Sequence, residues 1–154
     1  MSYDLSILKI KPGDKREDVT RIMRGQDEEQ DEYHGADFTY EEYERAQAIL
    51  VKAGFVQTRW EPECPEFEKG CVGVDVGGET WGISMPYWEE GEGMLPEIQA
   101  VVRELCTGRI VCWDPQVGDF VERGCLDIQT EAFRDGLAKV QGLVFKRKPW
   151  WRFW

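Results

Sequence analysis

The chain has 154 residues, of which 42% are hydrophobic, which suits one domain able to bury a core without staples. Its 30 acids outnumber its 19 lysines and arginines, giving a formal net charge of −11. A body so negative repels phosphate backbones and anionic lipid, so the composition argues against nucleic acid and membrane as partners and favours a basic protein partner.

The opening "YDLSILKIK" alternates apolar and polar residues up to Pro12–Gly13 and reads as a strand. "DKREDVTRIMRG" places Val19, Ile22 and Met23 at helical spacing, with Asp14 as candidate cap and Gly25 as stop. "QDEEQDEYHGAD" follows, polar and mostly anionic, and reads as a solvated, mobile loop. Asp27, Glu29 and Asp31 alternate like the opening of a calcium loop. Glu32 stands where that loop needs glycine and Phe38 where it needs glutamate, so a calcium site is rejected.

"TYEEYERAQAILVKAGF" is the clearest helix. Thr39 and Glu42 form a capping box, Tyr43, Ala46 and Leu50 make an apolar stripe with Tyr40 and Ile49 beside it, and Gly54 suits the left-handed end. "CVGVDVGGETWGISM" reads as a hairpin. A two-residue turn at Gly77–Gly78 would set Val74 opposite Trp81 and Val72 opposite Ile83. "PYWEEGEG" reads as a loop, and "MLPEIQAVVRELCTG" as a helix with Pro96 in its first turn. "RIVCWDPQVGDFV" gives a strand, a turn at Asp114–Pro115 and a short return strand. Phe133, Leu137 and Val140 mark a last helix.

The predicted order is β-α-α-β-β-α-β-β-α. It implies an α+β fold, one domain over residues 1–145, with helices packed on one face of a mostly antiparallel sheet. Residues 146–154, "KRKPWWRFW", form a basic aromatic tail. With the chain at −11 and the tail's four cations set aside, residues 1–145 carry −15. That charge opposes a nucleic-acid grip, and Pro149 prevents a sustained amphipathic helix on a membrane. The tail's rings and cations suit docking on the protein itself or on a permanent partner, through Trp150, Trp151 and Trp154.

No metal or cofactor motif emerges. The five cysteines, Cys64, Cys71, Cys106, Cys112 and Cys125, are odd in number and lack zinc spacing. They read as reduced thiols, with Cys71, Cys106 and Cys112 small core residues and Cys64 more exposed. The single histidine, His34, lies in the acidic loop with no nucleophile beside it in sequence. The start lacks a basic segment followed by an apolar one, and no apolar run approaches the roughly 20 residues of a membrane span, so the chain reads as cytoplasmic.

What stands out is one-signed charge. Residues 25–44 hold nine acids and no lysine or arginine, and within 60–102 Lys69 alone faces ten acids. Asp27, Glu28, Glu29, Asp31, Glu32, Asp37, Glu41 and Glu44, with Glu89, Glu90 and Glu92, are therefore the candidate partner-binding residues. Glu89, Glu90 and Glu92 are also the best candidates for a carboxylate acid and base.

Tyr3, Asp4 and Leu5 on the first strand, with Asp114, Pro115 and Gln116 at the late turn, resemble a group of small bacterial proteins that share these two motifs. Some of that group are similar to immunity proteins encoded beside secreted polymorphic toxins. The resemblance implies a cytoplasmic inhibitor that binds a cognate toxin and needs no cofactor or active site. The other readings are a nucleic-acid or membrane-surface protein that uses the tail, and an enzyme that works through carboxylates.

Overall fold

The structure, a computed structural model, describes residues 2–30, 32–61, 64–86, 89–121 and 131–139, and for Glu89 and Glu90 the backbone alone. The expected contacts of Asp31, Cys125, Val140 and the tail 146–154 lie outside these residues. Among the described residues the elements are β1 (Ser2–Lys9), α1 (Arg16–Met23), α2 (Tyr40–Lys52), β2 (Val56–Arg59), β3 (Glu66–Lys69), β4 (Val72–Asp75), β5 (Thr80–Pro86), α3 (Glu89–Leu105), β6 (Ile110–Asp114), β7 (Asp119–Phe120) and α4 (131–139). The strands form one sheet in the order β2-β3-β4-β5-β1-β6-β7, and every pairing is antiparallel. This is an α+β fold.

Strand alternation separates two cores. Tyr3, Leu5 and Ile7 of β1 point to one face, in register with Met85, Ile83 and Trp81 of β5. On that face they pack with Ala46 and Leu50 of α2, Ile98, Val101, Val102 and Leu105 of α3, and Phe133 of α4. Leu8 points the other way and joins Val19 of α1, Trp113 and Phe120 in a smaller cluster. Arg16 lies over the Phe120 ring, 4.7 Å from its centroid, and the Arg24 Nε donates to Gly118 O at 2.7 Å. Three helices thus share one face, while short α1 covers one corner of the other.

α2 ends as its sequence directs. Thr39 and Glu42 make the reciprocal capping box. At the far end Gly54 takes φ +91°, its N–H bonds Val51 O, and the Phe55 N–H reaches Leu50 O with Phe55 buried. This closing motif satisfies two carbonyls and plants an apolar residue under the helix.

Other expectations are corrected. The two-residue turn lies at Gly70–Cys71, between β3 and β4, where Gly70 takes φ +58°. β4 and β5 join through residues 76–79, so Val74 pairs with Ile83 and Asp75 with Gly82. The register therefore differs by two residues from a Gly77–Gly78 turn, which leaves every side chain on its expected face. α3 begins at Glu89, so "EEGEG" is helical and Pro96 lies inside the helix. α1 has Lys15 at its N-cap with no side-chain cap, because Asp14 accepts from the Tyr33 hydroxyl instead. Tyr40, expected beside the apolar stripe of α2, stands 75% exposed.

Candidate acidic interface

Among the described residues of the acidic loop 26–38 there is no helix or strand, yet the loop is pinned at its start, middle and end. At its start Asp27 accepts from the N–H groups of Glu29 and Gln30 and pairs with Arg21 at 3.2 Å. The Glu29 N–H leads in holding the Asp27 carboxyl below its usual range, and Gln30 and Arg21 help it outweigh the penalty of burial. In the middle, the Tyr33 hydroxyl accepts from Lys11 N at 3.0 Å and donates to Asp14 at 2.7 Å. At its end the Ala36 N–H donates to Lys9 O at 2.7 Å, and a side chain at Gly35 would strike that same carbonyl. The loop and α1 enclose a cleft of about 870 Å³, lined among others by Lys15, Arg21, Asp27, Glu29, Glu32 and His34.

The loop then feeds α2, whose first turn carries Glu41 and Glu42. Glu42 is structural: it caps the helix and pairs with Lys9 Nζ at 2.9 Å. Burial would raise its carboxyl, but the Thr39 N–H and the Lys9 ammonium overcome that and hold it below the usual range. Glu41 and Glu44 face solvent, and the Glu44 carboxylate raises the pKa of the exposed Tyr40 hydroxyl.

Of the candidate residues, Glu28, Glu29, Glu32, Asp37, Glu41 and Glu44 are all exposed. Among the described residues, none of these six carboxylates has a cation within 4 Å. In chain order they run from the loop into the first turns of α2, and together they make up an acidic ridge. Two further residues join it that pattern reading missed. Glu79 lies 3.5 Å from His34, in a turn whose Gly78 carbonyl accepts from the Tyr43 hydroxyl at 2.9 Å. Tyr40 supplies an exposed ring among the acids, the kind of side chain that anchors interfaces. Glu79 is not legible locally, because tertiary contacts set its position, and Tyr40 reads in sequence as a neighbour of the apolar stripe.

Glu89, Glu90 and Glu92 belong elsewhere. They stand in the first turns of α3, where Gly91 packs against the Pro86 carbonyl at the Ser2 end of β1. The loop meets β1 at Lys9, seven residues further along, about 23 Å at the rise of a strand. Glu92 is moreover paired with Arg134 of α4 at 2.6 Å. The acids that look like one surface in the sequence are split between two ends of the sheet.

Cys112 is buried, and Cys71 and Cys106 pack partly buried against the core, whereas Cys64 is half-buried. Burial pushes the Cys106 thiol up to about 12, against a small opposing pull from Arg16, and pushes Cys112 well up too, so both stay protonated at neutral pH. No group of three or more potential metal ligands occurs among the described residues. No helix among them is long and apolar enough to cross a membrane.

The residues carrying the two motifs meet in space. The Tyr3 hydroxyl donates to the buried Asp114 carboxylate, whose other oxygen accepts from the N–H groups of Gln116 and Val117. With its amide nitrogen turned inward, Gln116 donates to Asp4 O at 2.9 Å. The two motifs form one clasp that fastens the 115–118 turn to β1. Comparison with protein-family models, curated proteins and solved structures finds no match to this chain.

Proposed function

We propose that this protein is a bacterial immunity-type protein that works in the cytoplasm. It neutralises a cognate toxin by binding a basic surface of it through the ridge of Glu28, Glu29, Glu32, Asp37, Glu41 and Glu44. The observation that carries this reading is the acidic loop pinned at Asp27, Tyr33 and Ala36, whose Glu28, Glu29, Glu32 and Asp37 have no cation within 4 Å among the described residues. A preorganised ridge loses little conformational freedom on binding, and its one-signed field draws a cationic partner and repels acidic ones. Glu79 and Tyr40 extend the ridge with one more acid and one aromatic anchor.

The test is co-expression with the toxin candidate encoded beside this protein's own gene. The protein is expected to restore growth and to co-purify with that toxin. The triple variant Glu28→Lys, Glu29→Lys, Glu32→Lys should fold normally and lose both effects. Growth protection that survives the triple variant, or a neighbouring gene whose product is harmless, overturns the proposal.

A further inference from the structure

The second face of the sheet is only partly covered. α1 sits over the corner made by Leu8, Trp113 and Phe120, and among the described residues nothing lies over β3, β4, β5 and the first half of β1. Two cross-strand rows make up this open area. One runs Glu68–Gly73–Ser84–Asp4, the other Glu66–Asp75–Gly82–Ser6. Asp4, Glu68 and Ser84 are exposed and the others half-buried.

These are poor residues for a solvated strand face, where threonine would serve better; glycine and aspartate are depleted in strands. Gly82 has a local reason: the Asp75 carboxylate lies across it, so a side chain there would strike it. Gly73 has none. Its φ is not positive, and a Cβ there would meet nothing within 4 Å. A bare strand glycine costs stability and marks a place where another group comes close. Burial and the neighbouring Glu66 both push the Asp75 carboxyl up, a penalty that a cation nearby would relieve.

We propose that residues 146–154 of this same chain dock on the open face, setting their cations against Asp4, Glu68 and Asp75 and an aromatic ring over Gly73. Charge and reach single out this occupant. The segment holds Lys146, Arg147, Lys148 and Arg152 with no acid. Among the described residues only Glu66 of the opposing carboxylates has a cation, Arg59 at 3.2 Å. A second copy of the open face would meet acid with acid.

α4 ends the described chain at residue 139, and its Phe133 packs on Tyr3 with ring centroids 5.5 Å apart. Tyr3 directly precedes Asp4 on β1, so α4 lies beside the strand end where the open face begins. The six residues from 140 to 145 can span about 20 Å when extended, enough to pass around that end, since whole stacked sheets lie only about 10 Å apart. From Glu68 to Asp4 is three strand spacings, about 14 Å, which a few extended residues cover. Rings laid over strand glycines shield bare backbone and bury large area at small entropic cost.

The inference uses none of the ridge residues and stands whether or not the toxin reading holds. It is tested by recording amide spectra of the 154-residue chain and of residues 1–145. Removal of the segment should shift the amides of Asp4, Gly73, Gly82 and Ser84 while leaving α2 and α3 in place, and should lower the melting temperature by several degrees. Should residues 1–145 fail to fold, the 154-residue variant Trp150→Ala, Trp151→Ala, Trp154→Ala gives the same readout. Asp4→Lys with Glu68→Lys should lower the melting temperature of the parent chain and leave that of the tail variant almost unmoved. Amides of the open face that stay unchanged in both variants overturn the proposal. So do shifts that vanish on dilution, which would place the segment on another copy. An arginine-rich peptide that binds the open face of the parent chain as readily as that of the tail variant also overturns it, since the face would then be free for a foreign cationic segment.

Discussion

Lys9 of β1 sets its ammonium against the start of α2. It is 9% exposed, bonds Glu42, and reaches the Asp37 carbonyl at 3.4 Å. Glu42 therefore has two tasks, capping α2 and neutralising a buried ammonium. Glu42→Ala removes both and leaves the ammonium stranded, so it should destabilise by about 2–4 kcal/mol, read as a drop in melting temperature. The pH dependence has a definite sign. Because folding lowers the Glu42 carboxyl, its contribution is present above the unfolded value of about 4.3 and is lost as pH falls through the lowered folded value. Acid titration of stability should show that loss in the parent and not in Glu42→Gln. Tyr3→Phe makes a second residue-scale case: it takes one donor from the buried Asp114 carboxylate and should cost about 1–3 kcal/mol in denaturant unfolding.

At the scale of elements, two glycines in α3 behave oppositely. A Cβ on Gly91 would strike the Pro86 carbonyl and come within 3.0 Å of the Phe133 ring, whereas one on Gly93 would meet nothing within 4 Å. Gly93→Ala should stabilise by roughly 0.5–1 kcal/mol through helix propensity, while Gly91→Ala should lower the melting temperature despite the same propensity gain. The contrast explains why "EEGEG" reads as a loop: its helicity comes from tertiary contact, not from its own composition. β2 and β3 were illegible for a related reason. β3 has one buried apolar residue, Phe67, among Glu66, Glu68 and Lys69, and the Val56 of β2 faces outward at 67% exposure. Four-residue strands with so few apolar residues offer too little alternation to detect. By contrast α2, with Thr39, Glu42 and Gly54, and the turn at Asp114 carry their own stop and start chemistry and could be read directly. The ridge was half legible: its acids are contiguous in sequence, but Glu79 joins them only through the fold.

At the scale of the whole molecule, charge is divided rather than uniform. The ridge and the start of α3 lie at opposite ends of β1, about 23 Å apart by strand rise, and a Debye length at physiological salt is about 8 Å. Acids at one end therefore contribute little to the field felt at the other. For a basic partner that docks on the ridge, association should be fast at low salt and fall steeply as salt rises, with dissociation changing much less. Neutralising single carboxylates separates local steering from net charge. Glu29→Gln and Glu92→Gln each remove one negative charge, but only Glu29 belongs to the ridge, and Glu92 already faces Arg134. Stopped-flow or surface-binding kinetics should show a slower on-rate for Glu29→Gln and almost none of that effect for Glu92→Gln. Equal slowing by the two would mean that total charge, and not the pinned loop, draws the partner in.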